Sequence, residues 1–124
     1  MDTYAIPIVN GVLPRPDGGV LQGVFLDSFF ANMLVKTGVG NDIFLFPLSS
    51  DDKSLYPVGV LVRIEDMWVD KVPQGSDATA LFARVIGRER CKARKFSLSN
   101  EGLFALDIEK IDIYELRSLG YPII

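Results

Sequence analysis

The sequence predicts a mostly β domain. Short apolar runs rich in Val, Ile, Leu and Phe recur at close spacing, and Gly, Pro, Asp and Ser interrupt them. Only two segments have a helical pattern. A chain of 124 residues fits one domain, which can bury roughly two-thirds of the surface that the unfolded chain exposes. We therefore expect a single unit over residues 1–124, built around one core.

Seven strands are predicted along the chain, each an apolar or alternating run bounded by turn residues. They span residues 4–9, 20–25, 43–48, 58–69, 80–86, 89–96 and 103–111. The segments between them are polar or rich in Pro and Gly, which favours turns over linkers between domains. The clearest turns lie at residues 13–19, 49–54, 71–77 and 97–102.

Two segments favour helices. In the first, Asp27 or Ser28 can cap the N-terminus, Lys36 lies in the last turn, and Gly38 stands where a helix commonly ends. The second covers residues 112–119. Because so few residues are helical, both helices are expected to cover an open side or end of a curled sheet.

The composition excludes several classes of function. Sixteen acidic residues against thirteen basic ones give a net charge of −3, which argues against a protein that coats nucleic acid through bulk charge. The chain has no His, so it lacks the commonest general base and the commonest metal ligand. The glycines match neither a phosphate loop nor a dinucleotide fingerprint. We therefore expect no enzyme activity, no metal and no cofactor.

The sequence also indicates a compartment. No apolar run approaches the roughly 20 residues that a membrane span needs, and the N-terminus lacks the cationic and apolar segments of a secretory signal. The single cysteine, Cys91, cannot form an internal disulfide. The prediction is a soluble cytoplasmic protein without membrane contact.

Cys91 and the carboxylates are the candidates for chemistry. Cations around Cys91 could lower its pKa and make the thiol reactive, but a strand would point it inward, where Cys behaves as a small apolar residue. Asp107 and Glu109 could form a catalytic pair, yet they alternate with apolar neighbours as a half-exposed strand requires. The structural interpretation is favoured in both cases.

The stretch GRERCKARKF, residues 87–96, is the most basic part of the chain. In a strand Arg88, Arg90, Lys92 and Arg94 would share one face, with Glu89 on the other. These four cations are candidates for contact with an acidic partner such as nucleic acid. The alternative is a solvated strand face whose charge is balanced by nearby acids, and this alternative is favoured.

Trp68 is a further candidate for partner binding. It lies near the end of a long predicted strand, and Trp is enriched at interaction hot spots. Packing in the core is the favoured alternative. Phe29, Phe30, Phe44 and Phe46 suit a core or a groove equally.

Three segments, taken in order, have a more specific pattern. LYPVGVLVRIED (residues 55–66) is similar to a strand motif written hxVGthArIh (h apolar), with Gly59 where the backbone passes a tight spot and Arg63 at a recurring Arg position. VIGRERCKAR is similar to hxGxERFxI through Gly87 and Glu89, and LDIEKI to ADVEPL. Over roughly residues 4–111 the chain thus resembles the N-terminal, substrate-binding domain of Lon proteases and its stand-alone bacterial relatives. Because Cys91 replaces the Phe of the second motif, the resemblance is to a divergent member.

The resemblance implies a PUA-like pseudo-barrel of about six to seven strands with one or two short helices. A helical bundle follows in many members, whereas this chain ends at Ile124 and is too short for the ATPase and protease modules of full Lon. The implied function is non-enzymatic recognition of unfolded or extended protein segments, with a protease or chaperone as a further partner. Since PUA-like folds of other families bind RNA, the alternative is nucleic-acid binding through the basic strand 88–95.

Overall fold

One sheet of eight strands and one helix make up the described part of the chain. The computed structural model describes residues 3–8, 13–25, 27–47, 58–72 and 78–112. The elements in chain order are β1 (Thr3–Ile8), β2 (Val20–Phe25), α1 (Ser28–Thr37), β3 (Asp42–Pro47), β4 (Val58–Lys71), β5 (Thr79–Lys92), β6 (Lys95–Ser99), β7 (Gly102–Leu106) and β8 (Glu109–Lys110).

The strands are ordered β2-β5-β4-β3-β1-β7-β6, and β8 pairs with β5. The pairing of β1 with β3 is parallel, and the other pairings are antiparallel. Phe96 of β6 packs on Phe46 of β3, with ring centroids 4.6 Å apart, although β1 and β7 lie between these strands. The sheet is therefore curled, and the predicted mostly β pseudo-barrel is confirmed.

Helix α1 forms where the capping residues predicted it. The backbone N–H of Phe29 donates to Oδ1 of Asp27 at 2.7 Å, and the N–H of Gly38 donates to the carbonyl of Leu34 at 2.9 Å, so both ends are satisfied. Met33 and Leu34 are buried on the side that faces β1, β2, β3 and β7. The second predicted helix, residues 112–119, lies outside the described residues except for residue 112.

The prediction of two strands at 80–86 and 89–96 is wrong. A single strand, β5, includes the first of them and continues to Lys92, and residues 95 and 96 already belong to β6. Arg88 is an extra residue in its ladder, because Gly87 pairs with Val62 and Glu89 with the adjacent Leu61. A bulge of this kind bends a strand without ending it, which is why the glycine does not act as a strand boundary.

The prediction of one strand over residues 103–111 is also wrong. Asp107 has a φ of 53°, in the left-handed region that Asp tolerates better than most residues. This conformation ends β7 at Leu106 and turns the chain so that β8 begins at Glu109. The alternation of Asp107 and Glu109 with apolar neighbours is therefore not that of one strand.

The core lies on both faces of β3. Ile43 and Leu45 face α1 and its Leu34, whereas Phe44 and Phe46 stack on the opposite face at 6.0 Å between ring centroids. The continuous apolar run of β3 is typical of a strand covered on both faces. Every buried side chain among the described residues is apolar.

Candidate functional site

An apolar groove lies between α1 and the face of the sheet that includes β2. It has a volume of about 400 Å³, within the range of roughly 300–1,000 Å³ that is common for ligand sites. Alternate residues of β2 point toward it, as strand geometry requires. The groove is lined mainly by the apolar side chains of Ile6, Ile8, Leu21, Phe25, Phe30 and Leu34.

Small residues form the floor of the groove. Gly23 of β2 pairs with Ala83 of β5, and both line the groove. A Cβ at Gly23 would have only ring atoms of Phe25 within 4 Å, the nearest at 3.4 Å. The space above the strand backbone at this position is therefore open to another group.

The outer edge of β2 is unusually apolar. Among the described residues β2 pairs with β5 alone, as the terminal strand of the sheet. Its sequence VLQGVF contains neither a charged residue nor a proline, the features with which natural proteins commonly protect an edge strand. Val20 and Val24 are 60% and 44% exposed. This edge can accept a further strand beside the groove.

Among the residues that the structure describes, Asp27 is the one charged residue that lines the groove. It is exposed, and its carboxylate caps α1 through Oδ1. None of the ion pairs among the described residues includes it. The groove thus combines apolar walls with one negative charge.

Arg88 and Arg94 of the basic stretch contact acidic side chains. Nη1 of Arg88, in the bulge, lies 3.1 Å from Oδ2 of Asp42, and Nη1 of Arg94 lies 3.4 Å from Oδ2 of Asp107. Arg94 follows the end of β5, in the bend before β6. The four predicted candidates therefore do not form one continuous strand face.

The remaining two cations lie within β5. Arg90 pairs with Val60 and Lys92 with Val58, and both are half-buried. Because paired residues of antiparallel strands share a face, their side chains leave the sheet on the side of two buried valines. This arrangement exposes less of each cation than a free strand face would.

Trp68 stacks on Phe82, with ring centroids 5.8 Å apart and planes inclined by 12°. Phe82 is next to Ala83 in β5, so the stacked pair lies on the opposite face of the sheet from the groove floor. Trp68 is half-buried, and its neighbour Val69 is 69% exposed. The structure therefore separates the candidate Trp68 from the groove.

Cys91 is buried at 1% exposure. Burial, with the negative charge of Glu89 as the next cause, raises the pKa of the thiol from 9.0 to about 11. At neutral pH the thiol is protonated, and a protonated thiol is a poor nucleophile. The cations near it in sequence do not activate it.

We expect native Cys91 to react slowly with an aromatic disulfide reagent at neutral pH, and rapidly in denaturant, as followed by thiolate absorbance. Because the unfolded thiol ionises near 9.0 and the folded one near 11, the free energy of unfolding should fall as pH rises from about 9 to about 11. Cys91→Ala should remove this component of the pH dependence. Fast labelling of the native protein would contradict the assignment.

The curled sheet and its helix are similar to solved structures of Lon N-terminal domains. The N-terminal domain of the Mycobacterium avium complex Lon protease aligns with a TM-score of 0.66 and 13% sequence identity. A Lon N-terminal domain protein from Xanthomonas campestris aligns with a TM-score of 0.64 and 16% identity. This chain has the Lon N-terminal domain fold. The expectation from the strand motifs is thereby confirmed at the level of the fold.

The match is structural and covers part of the solved chains. Both alignments include 90% of this chain, but 55% of the Mycobacterium chain and 60% of the Xanthomonas chain, so this chain spans little more than half their length. No protein family model matches the sequence, and no curated protein has a significantly similar sequence. The Lon-like fold is therefore recognised through backbone geometry.

The Lon-like motif residues occupy structural positions. A Cβ at Gly59 would overlap the carbonyl oxygen of Leu45, and one at Gly87 would overlap that of Arg15. Nε of Arg63 lies 3.9 Å from Oδ1 of Asp42. Both glycines are thus places where two backbone segments meet.

Glu89 lies outside the groove. It is half-buried opposite Leu61, in a separate and more polar depression that also includes Lys110 and Cys91. Among the described residues no group of three His, Cys, Asp or Glu side chains is placed to hold a metal ion. No helix in the described ranges is long and apolar enough to cross a membrane.

Peptide recognition of the Lon kind implies an apolar groove or an uncovered sheet edge, but the sequence does not locate it, because five separate elements form the groove. The helical pattern leaves open whether Phe30 faces a core or a groove. One signal was available: in β2 the alternation of Leu21, Gly23 and Phe25 leaves a glycine on the apolar face of the strand. A glycine within a strand often marks a close approach or an open site.

Proposed function

We propose that this domain binds extended protein segments in the groove between α1 and β2 and has no catalytic role. The observation that carries the proposal is the apolar groove beside an unprotected strand edge. Main-chain hydrogen bonds at such an edge give affinity, and pockets for alternate side chains give selectivity. A protease or chaperone that receives the bound segment is the further partner we propose.

The walls of the groove set the chemistry of the bound side chain. They offer apolar surface from β1, β2 and α1, and burying about 100 Å² of apolar surface contributes roughly 2.5 kcal/mol. One bulky side chain is therefore enough to favour an apolar segment over a polar one. An unfolded protein exposes such side chains, whereas a folded protein buries most of them.

Photo-crosslinking tests the proposal. A library of short peptides that carry benzophenone groups should label this domain more strongly than a β protein without a groove, and mass spectrometry should place the crosslinks on β2 and α1. Labelling no stronger than that of the inert protein would refute the proposal.

We expect Gly23→Leu to weaken peptide binding by at least about tenfold. The new side chain occupies the space where an apolar side chain of the peptide would bind, and burial of that side chain contributes about 1.4 kcal/mol or more to the binding free energy. Fluorescence anisotropy with a labelled apolar peptide measures this loss. Gly23→Ala is the matched control, since its single methyl group meets only ring atoms at 3.4 Å and 3.6 Å. Equal affinity of the Leu and Ala variants would place the peptide elsewhere.

Nucleic-acid binding is the rival function. The basic stretch motivates it, but Arg88 and Arg94 are paired with acidic residues, which lowers the charge available to phosphates. A salt-sensitive mobility shift of a short RNA that disappears when Arg88, Arg90 and Lys92 are replaced together would favour this rival. We expect no shift at low salt, where phosphate contacts are strongest.

A further inference from the structure

The carboxylate of Asp27 restricts the charge of the peptide segments that fit the groove. Asp27 lines the groove and has no cation beside it among the described residues. The φ and ψ of Asp27, −78° and 124°, are extended. Gly23, Phe25 and Asp27 all line the groove. An apolar site and a negative charge therefore lie in the same groove.

The length of chain between the two positions limits the pattern in the ligand. Asp27 lies four residues from Gly23, so their Cα atoms are at most about 14 Å apart. A strand added to the edge of β2 advances by about 3.3 Å per residue. When one of its residues is opposite Gly23, over the floor, a long side chain about four positions away can reach the carboxylate of Asp27.

We propose that the occupant is an extended peptide segment that adds to β2 as a further strand. It places a bulky apolar side chain over Gly23 and a Lys or Arg, four residues away, beside Asp27. This inference rests on the proposed function and adds the ligand's charge, spacing and backbone conformation. Complementary charge favours this basic segment. An acidic segment would be repelled by the carboxylate of Asp27, because no cation compensates the two negative charges.

Asp27→Asn isolates the charge from the structural role of this residue. Asn is as good a helix cap as Asp, so α1 and the melting temperature should be preserved while the negative charge is lost. The probe is a short labelled peptide with one central Leu, Ser and Thr elsewhere, and Lys four residues from the Leu. Its matched partner carries Gln in place of Lys, and a second pair has the Lys on the other side of the Leu.

The Lys peptide should bind the native domain about threefold to fivefold more tightly than the Gln peptide, as for an exposed ion pair. High salt and Asp27→Asn should each remove this preference. The side of the Leu on which Lys is preferred reports whether the peptide runs parallel or antiparallel to β2. Equal affinity of the Lys and Gln peptides, or a preference that survives Asp27→Asn, would overturn the inference.

N-methylation of the peptide backbone tests strand addition. Methyl groups at alternate positions should reduce affinity by about tenfold or more in one register, where the N–H groups point toward β2, and much less in the other. Equal effects in both registers would contradict the proposal that the peptide adds to β2 as a strand. A dimer that covers β2, and that light scattering shows not to dissociate when peptide is added, would also contradict it.

The outcomes separate this inference from the proposed function. If Gly23→Leu blocks both the Lys and the Gln peptide but their affinities are equal, the groove binds segments and the role of Asp27 is wrong. If neither peptide binds the native domain, both proposals are wrong.

Discussion

Gly59→Ala should lower the free energy of unfolding by more than about 2 kcal/mol. The added Cβ would overlap the carbonyl oxygen of Leu45 and approach the ring of Phe44 to 3.0 Å. A backbone carbonyl held in a strand ladder cannot rotate away as a flexible side chain can. The sheet must therefore separate locally at the junction of β3 and β4, and urea denaturation followed by fluorescence measures the cost.

The matched control is Gly23→Ala, which also adds a methyl group to a glycine within a strand. Its nearest neighbours are ring atoms of Phe25 at 3.4 Å and 3.6 Å, which is ordinary contact, so stability should change by less than about 0.5 kcal/mol or rise slightly. Equal stability of Gly59→Ala and Gly23→Ala would show that β3 and β4 do not approach as closely as described. Such a result would remove the structural reason for Gly59.

The strands were predictable where one local rule decides their structure. Apolar runs and turn residues place β1 to β4 within a few residues, and the caps Asp27 and Gly38 give the bounds of α1. These signals lie within the segment that they describe. The pseudo-barrel followed from a resemblance to a known family and the pairing order of the strands was not predicted, because pairing between distant segments has no local signal.

The errors arose where the backbone departs from regular geometry. The bulge at Arg88 keeps β5 continuous through a glycine that locally favours a turn, and the left-handed Asp107 divides a run that locally favours one strand. The position of the groove was not predictable for a related reason, since its lining comes from elements far apart in sequence. Contacts between such elements decide these features, and a single sequence does not display them.

The bulge also changes how the basic stretch should be understood. Alternation within residues 87–96 predicts four cations in one row, which suggested an acidic partner. The extra residue moves Arg88 out of that row and toward Asp42, 3.1 Å away, and the bend after β5 directs Arg94 to Asp107. The apolar groove replaces this stretch as the leading candidate for partner binding.

Phe46→Ala is expected to cost about 3–5 kcal/mol, the usual range when a buried Phe is truncated. Phe46 is fully buried, and its ring packs against those of Phe44 and Phe96, at 6.0 Å and 4.6 Å, while these two rings are 6.3 Å apart. The contact with Phe96 joins β6 to β3 across the curl of the sheet. The change should therefore both lower stability and loosen β6, which hydrogen exchange at the amides of Lys95–Ser99 would reveal.

Two comparisons distinguish this interpretation from a general loss of apolar surface. Leu98→Ala, in the same strand but at a side chain 73% exposed, should change stability by less than about 0.5 kcal/mol. Phe46→Leu should retain much of the stability, since it keeps apolar volume against the rings of Phe44 and Phe96. If Phe46→Ala costs no more than Leu98→Ala, β6 is not held by this contact. The curl that brings β6 onto β3 would then need another cause.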